Sequence, residues 1–425
     1  MERDALVIRN RAMAEAFHTP PLKHRLRHWL LRGVKVIPIL RQKSPDKERI
    51  LLIRPDHVGD VLLTIPAIRA LRQAKPHAEI HALVGGWSAG VLANISEIDT
   101  VLTLDFPGFV RHSEGKGALS PYQLALKTAR QLRQIRYNSA VILRPDHWWG
   151  AMIAHLAGIP ERIGYATRDV RPFLNHPIAP VHQHAILQNL RLLERWTGQI
   201  PLEKVNYAYP VNDEDMQFVN HYLAECGLSS QARLLCIHPG AGTWVKRWDE
   251  ERWAQVADTL SEQLDCTIVF TGGGHELGMI RAIVSHMKTN PCVMAGNTEI
   301  GQLAGLYARA LAVIGPDSGP MHLAAAVNTP TITLFGPADP VEFAPWGVRD
   351  QHYIITSDIG CRPCRVLDWG TDAPEFHPCV REITIGRVLD ATRRAVQAIN
   401  REEQPYLSLF LVADIEDSYS LGFRQ

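Results

Sequence analysis

"ILLIRPDHVGDVLLTIPAIRAL", residues Ile50–Leu71, has the pattern of a buried strand, a turn and a helix. Four consecutive apolar residues form the predicted strand, and apolar residues recur at helical spacing after the turn. Nucleotide-binding proteins usually carry a glycine-rich phosphate loop between such a strand and helix. This turn instead contains one glycine and one carboxylate, Gly59 and Asp60. The sequence therefore has an acid where an anion is commonly bound.

The same alternation of strand and helix patterns continues along most of the chain, which is typical of a doubly wound parallel sheet. One series precedes the proline-bounded segment Gln199–Pro210, and a second follows it. The first series predicts strands at Ile50–Ile53, Glu79–Val84, Thr100–Leu104 and Ala140–Leu143, and helices at Val61–Ala74, Pro121–Ile135 and His184–Thr197. The second predicts strands at Leu234–His238, Thr267–Thr271, Leu311–Ile314 and Thr331–Phe335, and helices at Glu250–Leu264, His275–Lys288, Ile300–Ala308, Pro320–Val327 and Ile385–Ile399.

Length and pattern together predict a two-domain α/β protein. A chain of 425 residues is long enough for two domains that each bury a core. We predict two Rossmann-like αβα domains facing a cleft, over residues 45–200 and 201–400. Residues 1–44 form a basic leader, and residues 401–425 form a tail to which the sequence assigns no role.

Composition excludes several classes of protein. Apolar residues make up 46% of the chain and charged residues 21%, as in soluble globular proteins. A net charge of +1 argues against a nucleic-acid partner, which would need a strongly basic face. The seven cysteines are mostly scattered, so we expect reduced thiols in a cytosolic protein. We expect neither a secretory signal nor a membrane span, because every long apolar stretch is interrupted.

The leader has a local bias that the net charge hides. Between Phe17 and Pro45 there is no acidic residue, and apolar residues recur at roughly helical spacing around Trp29. A basic amphipathic helix of this kind suits an anionic membrane surface. A helix packed on the body of the protein is an equal alternative. The basic residues are Lys23, Arg25, Arg27, Arg32, Lys35, Arg41 and Lys43.

Four glycine-containing turns follow predicted strands of the second series. They read HPGAGTWVKRW at His238–Trp248, TGGGHE at Thr271–Glu276, GPDSGPMHLAAA at Gly315–Ala326 and FGPADP at Phe335–Pro340. Open α/β sheets bind ligands at the carboxyl ends of their strands. None of the turns is a Walker loop or a G-x-G-x-x-G motif, so ATP hydrolysis and nicotinamide chemistry are poor fits.

Polar residues in these turns indicate a phosphate-bearing ligand. Lys246 stands just before a predicted helix, and Asp317 is predicted to cap the helix that Ser318 opens. A helix amino end with free N–H groups is a ready anion site. Sharp strand exits alone would explain the glycines, but not the Lys246, Glu276 and His322 side chains beside them.

The acid of the first turn has two interpretations. At a helix amino end the dipole favours the ionised carboxylate, so Asp60 would be a ready proton acceptor. The alternative is that Asp60 is only the N-cap of its helix, a common role for aspartate.

An Arg-Pro-Asp-His sequence occurs twice. The first copy follows the strand at Ile50–Ile53, and the second follows the strand at Ala140–Leu143. The repeat indicates either an internal duplication or a shared way of leaving a strand.

Five segments resemble one family of enzymes. They are RILLIRPDHVGDVLLTIPAIRALRQAKPHAEI, GIPERIGY, HQHAILQNLRLLERWTG, HPGAGTWVKRWDEERWAQVAD and GPDSGPMHLAAAVNTPTITLFGPADP, in this order along the chain. They are similar to segments of the ADP-heptose:lipopolysaccharide heptosyltransferases, glycosyltransferase family 9. The resemblance extends from Glu48 to Ile399 and implies the two-domain GT-B fold.

The resemblance implies a reaction and a set of site residues. Members of the family invert the anomeric carbon without a metal or a cofactor. The implied catalytic residues are Asp60, the base on the acceptor hydroxyl, and Lys246, beside the donor phosphates. Arg144 is the implied contact for a phosphate or sugar acid of the acceptor. The implied donor-binding residues are Thr243, Glu276, Asp317, Ser318, Gly319 and His322.

The resemblance also implies partners and a location. The donor would be the nucleotide-sugar ADP-heptose, and the acceptor a lipopolysaccharide core or another glycolipid. The enzyme would be cytoplasmic and peripheral on the inner face of the cytoplasmic membrane. A different nucleotide-sugar, or an epimerase reaction on the same fold, is the alternative activity. A paralogue that only binds nucleotide-sugar is disfavoured because Asp60, Lys246 and Asp317 are all present.

Two local patterns suggest metal sites. Asp213 and Asp215 match a D-x-D metal motif, although acids after Asn212 also suit the start of a helix. A cysteine–histidine set would suit structural zinc, although its spacing is only a fair match. A role of these cysteines in stapling a loop is the alternative. The set is Cys361, Cys364, His377 and Cys379.

Overall fold

The computed structural model of the protein describes residues 2–18, 33–34, 39, 45–109, 119–348, 350–370 and 372–399. The described residues form two compact units, divided between Asn206 and Tyr207. The N-terminal domain comprises the described residues between 20 and 206. The C-terminal domain comprises those from 207 onward, together with those before 20. Each domain has its own parallel sheet, so the prediction of an α/β fold with two Rossmann-like domains is confirmed.

The N-terminal domain is built on a six-stranded parallel sheet with the order β3-β2-β1-β4-β5-β6. The central strand β1 is buried along residues 50–53, which is why this run is continuously apolar. The strands are β1 Arg49–Arg54, β2 Glu79–Val84, β3 Thr100–Thr103, β4 Ser139–Ile142, β5 Glu161–Tyr165 and β6 His176–Ile178.

The C-terminal domain repeats this architecture. Its six-stranded sheet has the order β12-β11-β10-β7-β8-β9, which matches the N-terminal order when read from the other edge. In both sheets the first and fourth strands of the domain are neighbours, as in the Rossmann fold. The strands are β7 Leu234–Ile237, β8 Thr267–Phe270, β9 Cys292–Val293, β10 Ala310–Pro316, β11 Thr331–Phe335 and β12 His352–Thr356.

Helices connect the strands in both domains. The N-terminal domain contains α2 Val58–Leu62, α3 Ile65–Ala74, α4 Ser120–Ile135, α5 Trp148–Leu156, α6 Ala185–Arg191 and α7 Glu194–Thr197. The C-terminal domain contains α1 Arg3–His18, α8 Asp213–Glu225, α9 Glu250–Leu264, α10 Leu277–Ser285, α11 Ile300–Ala308, α12 Gly319–Ala326, α13 Pro340–Phe343 and α14 Ile385–Ile399. Within the parts of the chain that the structure describes, no helix has both the length and the apolar content required to span a bilayer.

Aromatic side chains pack in the core of the C-terminal domain. Trp253 of α9 is fully buried and meets Trp248 edge-on, with ring centroids 4.9 Å apart. Trp248 Nε1 donates to the Ile383 carbonyl at 3.1 Å, which ties the segment before α9 to the segment before α14. These contacts hold the helices that cover the central strands.

Helix α1 packs on the C-terminal domain. Leu6, Asn10 and Ala14, at four-residue spacing, form its buried side, and Leu6 joins the core of that domain. The sequence analysis did not separate this helix from the leader predicted over residues 1–44, because only one residue in four marks its buried side. The basic helix expected around Trp29 lies outside the described residues.

Most of the other predicted elements are present, but two predicted helices are each divided in two. The helix predicted at His184–Thr197 is α6 and α7, separated at Leu192 and Leu193. The helix predicted at Val61–Ala74 is two helices, α2 and α3, separated at Leu63 and Thr64. Pro66 lies in the first turn of α3 and has no N–H to donate to a carbonyl of α2, which accounts for the break. Strands β5, β6, β9 and β12 were not predicted, because strands towards the sheet edges need no continuous apolar run.

Two of the seven cysteines form a disulfide, so the expectation of reduced thiols is wrong for them. Cys226 lies at the carboxyl end of α8 and Cys292 in β9, and the two are bonded through their sulfur atoms. They are 66 positions apart in the sequence. Sequence spacing does not reveal such a pair, because only folding brings the two Cβ atoms within bonding range. The free cysteines are Cys236, Cys266, Cys361, Cys364 and Cys379.

Replacing Ile237 by alanine should destabilise the C-terminal domain. Ile237 ends the central strand β7 and is fully buried. Removing its side chain should lower the free energy of unfolding by about 2–5 kcal/mol, because the deletion leaves a cavity. Urea denaturation measures the change, and Ile8→Ala is the control because Ile8 is 69% exposed. A loss below about 1 kcal/mol in Ile237→Ala would contradict this packing.

Candidate active site

Asp60 lies in the first turn of α2, just after the carboxyl end of β1. The helix starts at Val58, and its N-cap residue is His57. Asp60 is therefore inside the helix, and the alternative that it serves as the N-cap is wrong. Its side chain is 31% exposed, and its Oδ1 atom lies 3.3 Å from Arg54 Nη2. The carboxylate thus reaches solvent while it contacts one arginine.

Asp56 is the centre of the charged network beside Asp60. It is 2% exposed, and its Oδ2 atom lies 2.7 Å from Arg54 Nε. Its other carboxylate oxygen accepts a hydrogen bond from Arg144 Nη1. Arg54 also donates to the Leu143 carbonyl at 3.0 Å. Because Arg54 ends β1 and Arg144 follows β4, two neighbouring strands place two arginines around one buried acid.

The two carboxylates have opposite electrostatic environments. Burial by itself would raise the pKa of Asp56, but the positive charges of Arg54 and Arg144 outweigh burial and lower this pKa. The pKa of Asp60 is raised, first by loss of hydration and then by the negative charge of Asp56. The sequence analysis expected the helix dipole to favour ionised Asp60. Helix α2 has only five residues, and desolvation beside a second acid dominates.

Arg144 lies between a buried acid and an exposed one. Its Nε atom is 2.5 Å from Asp146 Oδ1, and its guanidinium carbon is 5.1 Å from the centroid of the Phe109 ring. The Arg144 side chain is 35% exposed and the Asp146 side chain 67%. Both Arg-Pro-Asp-His sequences therefore end neighbouring strands, and the arginine of each one pairs with Asp56.

His147 is a buried polar residue that the sequence analysis missed. It is the N-cap of α5 and is 5% exposed, and neither ring nitrogen has a hydrogen-bond partner among the described residues. Its ring meets Phe106 and Phe109 edge-on, with centroids 5.3 and 5.9 Å away. Burial lowers the pKa of His147 to about 4, so the imidazole is neutral at pH 7. The repeat contained this histidine but did not distinguish it from His57, which is exposed.

Lys246 and Asp317 form an ion pair at the carboxyl edge of the C-terminal sheet. Lys246 Nζ lies 2.5 Å from Asp317 Oδ2 and 3.2 Å from the Asp317 carbonyl oxygen. The two side chains are 14% and 7% exposed. Lys246 follows β7 and Asp317 follows β10, and these two strands are neighbours. The prediction that Asp317 caps the next helix is wrong, because Ser318 is the N-cap of α12 and Asp317 holds the lysine.

The amino end of α12 follows this ion pair directly. Gly319 begins the helix, and Pro320 lies in its first turn. Ser318 Oγ is buried without a hydrogen-bond partner among the described residues. His322 is 5% exposed, and burial lowers its pKa to about 4. The helix end lies beside Lys246, and the positive end of its dipole favours an anion.

Glu276 and Thr243 are held by backbone groups. Glu276 is 7% exposed, and its Oε2 atom accepts from the Gly273 N–H at 2.7 Å. Its carboxylate lies so close to Gly240 that a side chain at that position would displace it. Thr243 Oγ1 donates to the Leu367 carbonyl at 2.6 Å. Both residues therefore shape the turn that follows β7.

The predicted site residues fall into two groups. In the N-terminal domain Asp60 and Arg144 follow the neighbouring strands β1 and β4, with Arg54, Asp56 and His147 as additional members. In both domains the group lies where a doubly wound sheet opens a crevice for ligands. The C-terminal group follows β7, β8 and β10 and contains Thr243, Lys246, Glu276, Asp317, Ser318, Gly319 and His322.

The D-x-D pattern marks a helix start. Asn212 is the N-cap of α8, and its side chain accepts from the Asp215 N–H at 2.7 Å. Acidic side chains in the first turn complement the helix dipole. No group of three or more histidine, cysteine or acidic residues among those described is arranged to hold a metal ion.

The four residues of the cysteine–histidine set line one small cavity, but they are not arranged to hold a metal ion. His377 Nε2 lies 2.6 Å from Asp372 Oδ2, so this ring nitrogen is engaged by a carboxylate. Burial raises the pKa of the Cys379 thiol to about 12. Cys361 and Cys364 are free thiols, so the alternative of a covalent loop staple is also wrong.

A family model and a relative of this chain are both described as heptosyltransferases. Residues 125–368 match the model of glycosyltransferase family 9 (heptosyltransferase). Lipopolysaccharide heptosyltransferase 2 of Escherichia coli is 27% identical over 355 residues, which cover 80% of this chain and 97% of that protein.

Two solved structures share the fold. The family 9 glycosyltransferase of Veillonella parvula has a TM-score of 0.69 at 24% identity and covers 84% of this chain and 100% of its own. The Escherichia coli ADP-heptose lipopolysaccharide heptosyltransferase II has a TM-score of 0.65 at 22% identity, with coverages of 83% and 99%. Because the family model matches more than half of the 425 residues, the chain belongs to glycosyltransferase family 9, the heptosyltransferase family.

Proposed function

We propose that the protein transfers a heptose from ADP-heptose to a lipopolysaccharide core acceptor, with inversion at the anomeric carbon and without a metal. The observation that carries the proposal is the ion pair of Lys246 and Asp317 at the start of α12. This pair holds a largely buried ammonium group beside the amino end of a helix. A diphosphate leaving group is stabilised by both.

Similarity to proteins of described activity supports the choice of donor and acceptor. The Escherichia coli relative is a lipopolysaccharide heptosyltransferase, and the Escherichia coli structure is that of an ADP-heptose heptosyltransferase. This chain aligns with nearly the full length of both. The donor in the proposal is therefore ADP-heptose, and the acceptor is a lipopolysaccharide core.

The donor diphosphate is proposed to bind between Lys246 and the start of α12. Asp317 holds the ammonium group in place before the donor arrives, so little reorganisation is needed on binding. Ser318 Oγ is the hydroxyl donor next to Asp317 in sequence, and Thr243 Oγ1 would donate to the phosphate after releasing the Leu367 carbonyl. At Gly319 no side chain keeps the phosphate away from the backbone N–H groups.

Two further residues complete the proposed donor site. Glu276, at the end of the neighbouring strand β8, is assigned to the nucleoside. His322 is buried and neutral, and it is assigned to the wall behind the diphosphate. The two residues differ from Lys246 in that neither supplies positive charge.

Asp60 is the proposed base. It accepts the proton of the acceptor hydroxyl while that oxygen bonds to the anomeric carbon. The bond from this carbon to the diphosphate oxygen breaks, and ADP leaves with both bonding electrons. The raised pKa of Asp60 supports this role because it increases proton affinity. General-base assistance of this kind contributes about 100- to 10,000-fold in rate.

Arg144 is the proposed contact for an acidic group of the acceptor. Its buried partner Asp56 anchors the guanidinium, while its second partner Asp146 is exposed. An acceptor phosphate or carboxylate can replace the exposed partner without disturbing the buried one. Asp56 therefore holds one side of the Arg144 guanidinium. On the other side, an acidic group of the acceptor can take the place of Asp146.

Helix α4 supports a location at the anionic inner face of the cytoplasmic membrane. Leu119, Tyr122 and Leu126 are 70%, 38% and 49% exposed, and their spacing puts them on one side of the helix. Lys127 and Arg130 are exposed nearby, and α4 contains no acidic residue. Such a face fits an anionic lipid surface. The basic helix around Trp29, which the sequence predicted for this role, lies outside the described residues.

Two substitutions should separate catalysis from donor binding. Asp60→Asn should still bind ADP-heptose but transfer heptose about 100- to 10,000-fold more slowly, because an amide does not accept the proton. Lys246→Met should weaken ADP-heptose binding, because it removes the charge beside the diphosphate. Calorimetry measures binding, and mass spectrometry of truncated lipopolysaccharide cores measures transfer.

The control for these substitutions is Arg247→Met, which removes an exposed charge next to Lys246. Turnover near the wild-type rate in Asp60→Asn would reject the assignment of the base. A panel of nucleotide-sugars in the same assay tests the donor. Preference for a sugar other than heptose, or epimerisation without acceptor, would favour the alternative activities.

Asp56→Asn should move the acid limb of the pH–rate profile to lower pH. Activity requires ionised Asp60 and falls as the pH drops through the Asp60 pKa. The charge of Asp56 raises this pKa, so its removal lowers it. Plots of log kcat/KM against pH measure the shift, and Asp146→Asn is the control because Asp146 is 67% exposed. An acid limb at the wild-type position in Asp56→Asn would show that the two acids are not coupled.

Replacing Leu119, Tyr122 and Leu126 by serine should weaken binding to vesicles that contain phosphatidylglycerol. Loss of three exposed apolar side chains should reduce the partition constant by about tenfold or more. Vesicle flotation measures binding, and transfer to a soluble, delipidated acceptor should be unchanged. The control replaces Ile8 and Phe17 of α1, which are 69% and 57% exposed. An equal loss of vesicle binding in the α4 and α1 variants, or no loss in either, would count against membrane binding through α4.

A further inference from the structure

Helix α1 lies outside the stretch that resembles family 9, yet it is bonded to the segment after β12. We call residues 357–370 and 372–379 the cysteine segment. Arg9 Nη2 donates to both carboxylate oxygens of Asp372, at 2.7 Å each. Asn10 is 2% exposed, and its Nδ2 atom donates to the Phe376 carbonyl at 2.7 Å. Helix α1 therefore holds the cysteine segment through a side-chain ion pair and a buried backbone contact.

Asp372 continues this contact to His377. The carboxylate Oδ2 atom lies 2.6 Å from His377 Nε2, which donates because an ionised carboxylate only accepts. The His377 ring stacks on Trp369 at 4.2 Å and meets Trp244 edge-on at 5.6 Å, measured between ring centroids. Trp244 begins the 3-10 turn that ends at Lys246. An unbroken row of contacts thus runs from α1 to the turn that carries the lysine.

Two other contacts join the same parts. Thr243 Oγ1 donates to the Leu367 carbonyl of the cysteine segment at 2.6 Å. Asn10 of α1 and Val245 both line one cavity of about 10 Å³, which is no larger than a water molecule requires. The cysteine segment and α1 therefore both pack against the turn before α9.

We propose that α1 is a brace for the diphosphate-binding turn and that Arg9 is the positioning residue through which it acts. Arg9 acts through Asp372 and His377. These two residues hold Trp244 against the cysteine segment, and Lys246 is two residues further along the same turn. The inference rests on the proposed function, because it takes Lys246 as the diphosphate contact.

The brace should affect the affinity for the donor and not the rate of the transfer step. A three-residue 3-10 turn has few hydrogen bonds of its own, so its conformation depends on what packs against it. A turn that is ordered before the donor arrives removes an entropy cost from binding. Loss of the brace should therefore raise KM for the donor and leave kcat nearly unchanged.

The first experiment compares two arginines of α1. Arg9→Gln removes an ion pair whose side chains are 27% and 14% exposed. Arg3→Gln removes the ion pair with Glu382, whose side chains are 55% and 32% exposed, and is the matched control. Arg9→Gln should raise KM for ADP-heptose about tenfold and change kcat by less than about twofold. Arg3→Gln should change neither, and Arg9→Lys, which keeps the charge, should recover part of the loss.

Hydrogen–deuterium exchange tests the brace without any substrate. Arg9→Gln should speed exchange in the peptide that contains residues 243–247, and Asp372→Asn should do the same. The double variant should exchange no faster than Asp372→Asn alone, because Arg9 acts through Asp372. Wild-type exchange at residues 243–247 in Arg9→Gln would overturn the proposal. An equal effect of Arg3→Gln would overturn it as well.

The two measurements separate this inference from the proposed function. If the wild-type protein transfers no heptose but the exchange difference is present, the donor assignment fails and the brace is supported. If the wild-type protein transfers heptose but Arg9→Gln alters neither KM nor exchange, the brace fails and the donor assignment is supported.

Discussion

The order of strands in a doubly wound parallel sheet is the constraint on which both groups of site residues depend. In each domain the first and fourth strands are neighbours, so residues that are distant in the chain leave the sheet side by side. Arg54 and Arg144 meet around Asp56 in this way, and Lys246 meets Asp317. The charged group of each domain is therefore assembled from residues that follow two neighbouring strands.

Buried ion pairs serve different purposes in the two domains. In the N-terminal domain two arginines neutralise Asp56, while Asp60 beside it keeps a raised pKa and so a higher affinity for a proton. In the C-terminal domain one acid orients one lysine at a helix end. Burying charges costs free energy that their attraction often fails to recover. These ion pairs are therefore better explained by the proposed function than by stability.

Two of the predicted site residues have a different place in their helices from the one that the sequence suggested. Asp60 and Asp317 both stood at strand-to-helix turns, and each had been considered as a helix cap. The caps are His57 and Ser318, because capping depends on the residue at which the helix begins, which sequence patterns define poorly. His147 was missed because its burial arises from aromatic residues that are far from it in sequence, such as Phe106.

The sequence by itself determined the α/β class, the two-domain organisation and the turns that carry Asp60 and Lys246. These follow from hydrophobic periodicity and turn composition, which are local properties of the chain. Only the tertiary structure decided which charges pair, which acid has the raised pKa, and which domain α1 packs on. Those outcomes depend on distances of a few ångströms between residues such as Asp56 and Arg144, which are 88 positions apart, and no local pattern encodes them.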